Sequence, residues 1–380
     1  MDKDVLDTIK TIQMNGGNVY LVGGALRDIL LGKNPIDYDL EVYNQSIEQL
    51  SKLFNDKNPV VNDKFKTLKL NNIEIALPRL ERKVGLNYLD YELYFDDGIS
   101  LKEASKRRDL SINALMYDFK NDKIIDYYNG LEDLKNSTLK AVDYDSFEGD
   151  ATRLLRLIEL KFRLNFDIDY KTWQLKDRMD IHILEQPSLV VAQYFNKIII
   201  ADNFDIELFL EGFYNLFEVD RYKNYISKSQ YHPEKSLYNH LVGVIKCLQL
   251  LKVDNKRDFK ILFWALFFHD YGKLACLGDH ELYSIELYET FKDHLITKSK
   301  HQDLVRELIR DHMVIREYAQ KEDTLNMKRL MNKYKNQFYL LEIVGKCDYG
   351  GRVLDYNHDE YYKRMSWFEN NILNKYKELR

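Results

Sequence analysis

The architecture of the chain can be inferred from one short segment, Val22-Gly23-Gly24-Ala25-Leu26-Arg27-Asp28, and from what surrounds it. A β-rich apolar run over residues 19–22 leads into the paired glycines and a helical pattern follows them, so the glycines fall at a predicted strand-to-helix turn. Such a turn lets backbone N–H groups approach a phosphate at the positive end of a helix. Arg27, one turn into the helix, is placed to add a charge-assisted contact. For a Gly-Gly pair considered alone, a plain tight turn is the alternative.

A second segment, Asp37-Tyr38-Asp39, opens the next strand pattern. Residues two apart in a strand point to the same face, so Asp37 and Asp39 share a face and Tyr38 points away from them. Two carboxylates this close repel each other unless a divalent cation lies between them. Because Mg²⁺ prefers carboxylate and phosphate oxygens, the pair predicts a site for Mg²⁺ and a nucleoside triphosphate. A solvated turn with two aspartates is the alternative.

The composition is that of a globular chain with more than one domain. At 380 residues, with 45% hydrophobic and 31% charged residues, the chain is too long for one typical core and ordinary for a folded protein. The net charge of −5 argues against indiscriminate coating of nucleic acid. Neither a membrane-spanning apolar run nor a signal peptide is recognised, so we expect a cytoplasmic protein with no membrane partner. The 3 cysteines form no CxxC pair and suggest no zinc ribbon or disulfide framework.

Strand and helix signals divide the chain into an α/β part and a helical part. From Asn18 to Val142, short β-rich runs alternate with helical patterns, whereas after Phe147 apolar residues recur at helical spacing. We therefore predict an α+β fold, with a mixed sheet plus helices first and an almost entirely helical remainder.

The glycine pair with Arg27-Asp28, followed by Asp37-Tyr38-Asp39, resembles the signature of the polymerase β-like nucleotidyltransferases, specifically the class II CCA-adding tRNA nucleotidyltransferases and bacterial poly(A) polymerases. The resemblance covers nearly the whole chain and continues through residues 79–83, 106–115 and 125–134. It implies that Asp37 and Asp39 are catalytic and hold Mg²⁺. It also implies a nucleotide-binding set, namely Gly23, Gly24, Arg27, Arg108, Asp109, Asn113, Asp150, Arg153 and Arg156.

Two further segments of the α/β part of the chain fit this resemblance. Arg107-Arg108-Asp109 places two guanidinium groups beside a carboxylate, which suits a triphosphate, although a salt-bridged helix start is the alternative. By resemblance, Arg108 contacts the nucleotide and Asn113 shapes the sugar pocket. Residues 79–94 resemble the mobile loop with which such enzymes move from C addition to A addition. No deletion is apparent in this segment, which argues against an enzyme that adds only C.

The segment Gly149-Asp150-Ala151-Thr152-Arg153-Leu154-Leu155-Arg156 resembles the family motif E-D-x-x-R-x-x-R. We predict that Asp150 and Arg153 share a helix face and read the Watson–Crick edge of one base, with Arg156 holding the incoming phosphates or base. An ordinary ion pair on a helix surface is the alternative. The sequence departs from the pattern in having Gly149 where an acidic residue is usual, and Glu159-Leu160 where arginine and phenylalanine are common. These changes put in question the packing of the helical segment after Phe147, which we call the neck, and its contact with RNA.

Five histidines, His232, His240, His269, His280 and His312, fall in the helical part. His269-Asp270 ends an apolar helical run, where unpaired polar groups would be costly and a shared divalent metal is the simplest compensation. The set His240, His269, Asp270 and Asp348 resembles the H…HD…D pattern of the HD phosphohydrolases. This resemblance implies a second divalent metal, of a kind left open, and possible phosphatase or 2′,3′-cyclic phosphodiesterase activity. A structural metal or an inactive relic is the alternative.

These observations predict four regions: a nucleotidyltransferase head over residues 1–142, a helical neck over 143–225, a helical HD domain over 226–355 and a C-terminal helix over 356–380. The predicted function is addition of C, C and A to the 3′ end of tRNA, with the acceptor stem and 3′ end of tRNA, CTP and ATP as partners. A poly(A) polymerase, or an enzyme that adds only CC or only A, is one alternative. A metal-dependent HD phosphohydrolase or RNA-binding protein with an inactive head is another. The oligomeric state is left open.

Overall fold

The computed structural model describes residues 1–85, 90–96, 98–227, 233–275, 278–353 and 358–379. The chain divides into two compact units, Met1–Met179 and Asp180–Arg380. Among the helices in the described ranges, none combines the length and apolarity that crossing a bilayer requires.

The first unit is built on a mixed seven-stranded sheet with the strand order β3-β4-β5-β2-β1-β8-β9. β2 lies parallel to β5 and antiparallel to β1, and β1 also pairs antiparallel with β8. β6 and β7 form a separate antiparallel hairpin, and β10 pairs with β11. The strands are β1 Asn18–Val22, β2 Tyr38–Tyr43, β3 Val60–Asn62, β4 Thr67–Leu70, β5 Ile73–Ala76, β6 Leu80–Lys83, β7 Tyr91–Tyr94, β8 Met116–Asp118, β9 Lys123–Ile125, β10 Thr138–Leu139 and β11 Asp167–Ile168.

Nine helices accompany these strands within the described part of the first unit. They are α1 Lys3–Met14, α2 Gly23–Leu30, α3 Ile47–Leu53, α4 Leu101–Lys106, α5 Gly130–Lys135, α6 Tyr144–Glu148, α7 Ala151–Leu164, α8 Tyr170–Gln174 and α9 Lys176–Met179. The apolar sides of α1, α2 and α3 share one buried cluster with alternate residues of β1, β2, β4 and β5. The α+β prediction for this part of the chain is confirmed. The fold after Phe147 includes one short strand, β11, that the helical pattern did not indicate.

The central strand β2 shows how the sheet separates core from site. Tyr38, Leu40 and Val42 are all buried at 2% exposure or less and belong to the core cluster. Asp39 and Glu41 point to the opposite face, as the two-residue period of a strand requires. Asp37 directly precedes the first residue of the strand.

The second unit is helical in its described part. Its helices are α10 Ser188–Ile198, α11 Ile206–Gly212, α12 Val219–Asn224, α13 Leu237–Leu250, α14 Lys256–Phe268, α15 His280–Leu295, α16 Ser299–Asp311, α17 Val314–Gln320, α18 Thr324–Tyr334, α19 Phe338–Gly350 and α20 His358–Asn371. From Ile261 to Phe268 every residue of α14 is buried, as is expected of a helix that is apolar on all sides. The ring of Trp264 makes edge contacts with those of Phe195 and Phe263 in this core.

Candidate functional site

The predicted glycine turn lies beside Asp39 in the structure. Val22 pairs in register with Asp39, so Gly23 follows directly after the residue opposite that carboxylate. Gly23 has a φ of +70°, and a β-carbon there would lie 2.8 Å from Asp39 Oδ2 and 3.5 Å from Arg108 Nη1. Only glycine takes this conformation freely and leaves room for both groups. The structure therefore brings Gly23, Asp39 and Arg108 together, and it leaves Asp37 exposed at the start of the strand.

Arg27 is buried and bonded to protein groups rather than open to solvent. Its Nη1 donates to Asn113 Oδ1 at 2.6 Å, and its Nε donates to Asp28 Oδ1 at 2.8 Å. Burial lowers the pKa of Arg27, and Asp28 opposes that shift. In this structure Arg27 thus connects α2 to the short 3₁₀ helix Ser111–Asn113.

Asp109 extends this network to α7. Its Oδ1 accepts hydrogen bonds from Asn113 Nδ2 at 3.0 Å and from the Leu110 backbone N–H at 2.8 Å, and its Oδ2 lies 3.2 Å from Arg156 Nη1. Burial tends to raise the pKa of Asp109, but Arg156 and Asn113 outweigh it and the pKa falls below its ordinary value. Asp109 is therefore an ionised anchor for Arg156, whose side chain remains about half exposed.

Asp150 is the N-cap of α7 and not a residue within the helix. Its Oδ1 accepts from the Thr152 backbone N–H at 2.9 Å, and Arg153 Nε lies 4.0 Å from its Oδ2. Asp150 thus lies one residue before the helix, where aspartate satisfies an otherwise unpaired N–H at the helix start, and it remains beside Arg153. Tyr91 on β7 donates to Asp150 Oδ2 at 3.4 Å.

Arg153 is fixed by two further hydrogen bonds. Its Nη1 donates to Ser146 Oγ at 3.1 Å, and its Nη2 donates to the backbone carbonyl of Arg107 at 3.0 Å. The predicted base-reading pair is thus connected through the Arg107 backbone to the segment that carries Arg108 and Asp109.

The departures from the family motif are accommodated locally. Glu148 Oε2 lies 2.8 Å from Arg178 Nη2. Glu159, which stands where arginine is common, pairs with Arg163 at 2.7 Å, and Arg163 also lies 3.6 Å from Asp28. Arg163 thus pairs with carboxylates of both α2 and α7.

In the second unit, ligand atoms of His240, His269, Asp270 and Asp348 all lie within 4.8 Å of one another, and all four residues are buried. His240 Nε2 is 3.2 Å from Asp348 Oδ1 and 3.4 Å from Asp270 Oδ2. His269 Nε2 is 3.5 Å from Asp270 Oδ2. The four residues predicted from the H…HD…D pattern are thus brought together. His232 lies outside the described residues.

The histidine rings are oriented through their Nδ1 atoms. His269 Nδ1 lies 2.6 Å from the Leu266 carbonyl oxygen, and His240 Nδ1 lies 3.1 Å from Glu234 Oε1. An Nδ1 that faces a carbonyl oxygen carries the proton, so the lone pair of His269 is on Nε2, the atom that lies 3.2 Å from His240 Nε2. Burial lowers the pKa of His240, but Asp348 and Glu234 outweigh it and raise that pKa to about 9. A metal ion bound to His240 would therefore displace a proton.

A second group of ligand atoms, from Asp270, His280 and His312, shares Asp270 with the first group. Asp270 Oδ1 lies 3.3 Å from His280 Nε2 and 3.7 Å from His312 Nε2. Among the described residues, neither Asp270 Oδ1 nor His280 Nε2 has a hydrogen-bond partner, although both are buried. Burial lowers the pKa of His312 to about 3, which keeps its ring neutral as metal binding requires. Imidazole and carboxylate donors arranged this way fit a divalent metal.

Comparisons with known proteins agree with the fold. The family model described as Poly A polymerase head domain matches residues 19–140. The Multifunctional CCA protein of Mannheimia succiniciproducens is 30% identical over 362 residues, which cover 88% of this chain and 84% of that protein. That of Actinobacillus pleuropneumoniae is 32% identical over 273 residues, covering 67% of this chain and 64% of its own length. A solved tRNA-processing enzyme in its apo form has the same fold, with a TM-score of 0.64 and 19% identity over 100% of this chain and 94% of that one.

The fold and the head site define a nucleotidyltransferase. Nucleotidyltransferases of this class depend on a divalent metal. The chain belongs to the family of CCA-adding tRNA nucleotidyltransferases. The family resemblance inferred from the sequence motifs is thereby confirmed.

Proposed function

We propose that this chain adds C, C and A in succession to the 3′ end of tRNA, using CTP and ATP and no nucleic-acid template. The observation that carries the proposal is the convergence of the Asp39 carboxylate and the Arg108 guanidinium on the Gly23 turn. Relatives named Multifunctional CCA protein, which match across most of this chain, support the choice of tRNA as acceptor.

In the proposed reaction the tRNA 3′-hydroxyl attacks the α-phosphorus of the bound triphosphate in line, and pyrophosphate leaves. Asp37 and Asp39 would hold Mg²⁺, which when bound polarises the α-phosphate and lowers the pKa of the attacking hydroxyl. Arg108 holds the phosphates by charge-assisted hydrogen bonds. Positioning and electrostatic stabilisation supply most of the rate in such a transfer.

Nucleotide choice is assigned to Asp150 and Arg153. Asp150 Oδ1 is occupied by the helix cap, so Oδ2, which also accepts from the Tyr91 hydroxyl at 3.4 Å, is the oxygen that would accept from a base. C and A both carry an exocyclic amino donor beside a ring-nitrogen acceptor, so one carboxylate acceptor and one guanidinium donor can read both. Arg156, anchored on Asp109, supports the incoming nucleotide.

For the helical unit we propose a second activity, hydrolysis of phosphate esters such as a 2′,3′-cyclic phosphodiester. The observation that favours it is Asp270, which joins two groups of buried ligands and has an oxygen without a hydrogen-bond partner in the described part of the chain. His240, His269, Asp270 and Asp348 would hold a divalent metal, which when bound supplies an activated water. Lys273 Nζ, 2.5 Å from Asp270 Oδ2, holds that carboxylate in place.

We assign these activities to the regions predicted from the sequence: the head over residues 1–142, the neck over 143–225, the HD domain over 226–355 and the C-terminal helix over 356–380. The head would bind the triphosphate, and the neck would read the base and contact the tRNA acceptor stem. The HD domain would hydrolyse phosphate esters.

The test is incubation of tRNA lacking its terminal CCA with Mg²⁺ and labelled CTP, labelled ATP or both, followed by counting of incorporated residues. We expect two C residues from CTP alone and one further A when ATP is added. Incorporation of A alone, in a run or singly, would indicate a poly(A) polymerase or an A-adding enzyme. C incorporation without A would indicate a CC-adding enzyme, and no incorporation would reject an active head.

A further inference from the structure

A buried carboxylate that the sequence motifs do not include lies two residues beyond Asp39 on β2. Glu41 is 1% exposed and shares the face of Asp39 and Tyr43, away from the core face of the strand. β2 is a central strand, so β1 and β5 flank Glu41 on both sides and it does not lie at an edge of the sheet. A buried carboxylate in such a place is costly unless it is paired with positive charge.

Two consecutive arginines supply that charge. Arg107 Nη2 lies 2.8 Å from Glu41 Oε2, and Arg108 Nη2 lies 3.4 Å from the same oxygen. Tyr43 donates its hydroxyl to Glu41 Oε1 at 3.2 Å. Burial tends to raise the pKa of Glu41, but Arg107 and Arg108 outweigh it and lower the pKa, so the group is ionised.

The two arginines face different surroundings. Arg107 is enclosed: its Nη1 lies 3.7 Å from Glu81 Oε1, and its backbone carbonyl accepts the hydrogen bond from Arg153. Arg108 instead turns its Nη1 toward the Gly23 turn, where the phosphates of a triphosphate are expected. Arg107 therefore belongs to the framework, whereas Arg108 connects Glu41 to the reaction site.

Resting on the proposed nucleotidyl transfer, we propose that Glu41 is a positioning residue for that reaction. It aims the guanidinium of Arg108 at the phosphates and offsets the positive charge that Arg107 and Arg108 together bring next to it. Without this offset, the arginines would bind pyrophosphate more tightly in the ground state and orient it less well during transfer. Binding that is equally strong before and during the reaction does not accelerate it.

The test variant is Glu41→Gln, which keeps the shape of the side chain and an oxygen acceptor for Arg107 but removes the charge. In calorimetric titrations with Mg²⁺ and inorganic pyrophosphate, we expect about threefold tighter binding or more, because one opposing charge beside the phosphates is lost. The kcat for incorporation should fall about tenfold through loss of alignment, while KM for CTP and ATP falls by similar factors. A purely structural role predicts weaker binding and a lower thermal midpoint, and that result would overturn the proposal.

Asp118→Asn is the matched control. Asp118 is a buried carboxylate of the same unit that accepts from the Lys120 and Asn121 backbone N–H groups. Its replacement is expected to leave pyrophosphate affinity and kcat unchanged. A change like that of Glu41→Gln would mean that any lost buried carboxylate has this effect, and would refute the specific role of Glu41.

A double-mutant cycle tests whether Glu41 acts through Arg108. In an Arg108→Ala background, Glu41→Gln should change pyrophosphate affinity by less than about twofold, because the partner through which it acts is gone. The full single-variant effect in that background would contradict the proposal.

Should Glu41→Gln fail to fold, Arg107→Ala and Arg108→Ala still test the division of roles. Arg107→Ala should lower the thermal midpoint, whereas Arg108→Ala should lower pyrophosphate affinity without doing so. Equal losses of affinity in both would overturn the assignment. Nucleotide incorporation by the unaltered chain tests CCA addition separately. A failed incorporation would therefore reject the proposed function, whereas a failed pyrophosphate comparison would reject only the role of Glu41.

Discussion

The two sites handle their charges in opposite ways. In the head, Asp37 is exposed and Asp39 half-buried, and the buried charges beside them are already paired within the protein, as in Arg108 with Glu41. In the helical unit the ligand side chains are themselves buried: His269 is 1% exposed and Asp270 is 3% exposed. The head can therefore admit and release a highly charged substrate without rearranging its own ion pairs. The second site brings together carboxylates and imidazoles whose ligand atoms could hold a cation.

The same contrast appears in the buried carboxylates of the two sites, although Arg107 Nε in the head also has no hydrogen-bond partner among the described residues. The buried head carboxylate Asp109 has its hydrogen bonds and ion pair from protein groups. In the helical unit, buried Asp270 Oδ1 and His280 Nε2 have no hydrogen-bond partner among the described residues. The two atoms lie 3.3 Å apart, and leaving such atoms without a full hydrogen bond costs roughly 1–3 kcal/mol, a cost that metal binding would remove. Stability should therefore depend on metal in the second unit more than in the first.

The largest effect is expected from Asp39→Asn, which keeps the size of the side chain and removes a metal-binding charge. Incorporation of C and A should fall by about 10³-fold or more, because several kcal/mol of metal-dependent stabilisation are lost. Hydrolysis of a 2′,3′-cyclic nucleotide by the helical unit should stay within about twofold of the unaltered chain, because its ligands are all elsewhere. If this variant lost both activities and kept its thermal midpoint, the comparison between two independent sites would be wrong.

Asp270→Asn is the reciprocal change. Because Asp270 serves both ligand groups, the single substitution should reduce bound divalent metal, measured by elemental analysis, and lower the hydrolysis rate by about 10²-fold or more. Nucleotide incorporation should remain unaffected. Full retention of metal in a folded Asp270→Asn protein would contradict the shared-ligand arrangement.

The head site could be predicted from the sequence to the extent that it depends on local patterns. The turn at Gly23 and the inward direction of Tyr38 follow from a glycine pair and a two-residue period, and both are found in the structure. Glu41 lies two residues after Asp39 in the same strand, so the sequence predicts that both point to the same face. The sequence does not predict that Arg107 pairs with Glu41, because the two are separated by 66 residues and meet only in the folded sheet.

The helical unit shows the same limit in another form. His269 and Asp270 were recognisable because polar ligands end an apolar helix. The double role of Asp270 was not, because it depends on how α14, α15 and α16 pack, and helical spacing does not encode that packing. Asp150 shows a different kind of miss: aspartate is a preferred N-cap, so its position before α7 could have been predicted from residue preference alone.

A smaller effect is expected at the second site from Glu234→Gln. Glu234 Oε1 faces His240 Nδ1 at 3.1 Å, and a carboxylate in this position orients a histidine ligand and strengthens its metal bond. Metal affinity, measured by competition with a chelator, should fall by roughly 10- to 100-fold. Asp258→Asn, which alters a buried carboxylate paired with Arg257 in the same unit, should leave affinity unchanged. Equal affinities for Glu234→Gln and the unaltered chain would remove Glu234 from the site.

The smallest and most specific effect is expected from Asp150, where helix capping uses Oδ1 and the proposed base reading would use Oδ2. Asp150→Asn retains an oxygen that can cap the Thr152 N–H, but it can place an amide donor where the base meets an acceptor. Uracil presents an acceptor where cytosine presents its amino donor, so the ratio of kcat/KM for CTP over UTP should fall about tenfold. Asp150→Ala should also lose about 1 kcal/mol of stability with the cap, whereas Asp150→Asn should not. Unchanged nucleotide preference in a stable Asp150→Asn protein would leave Asp150 as a helix cap alone, and the head would then select its nucleotide by other means.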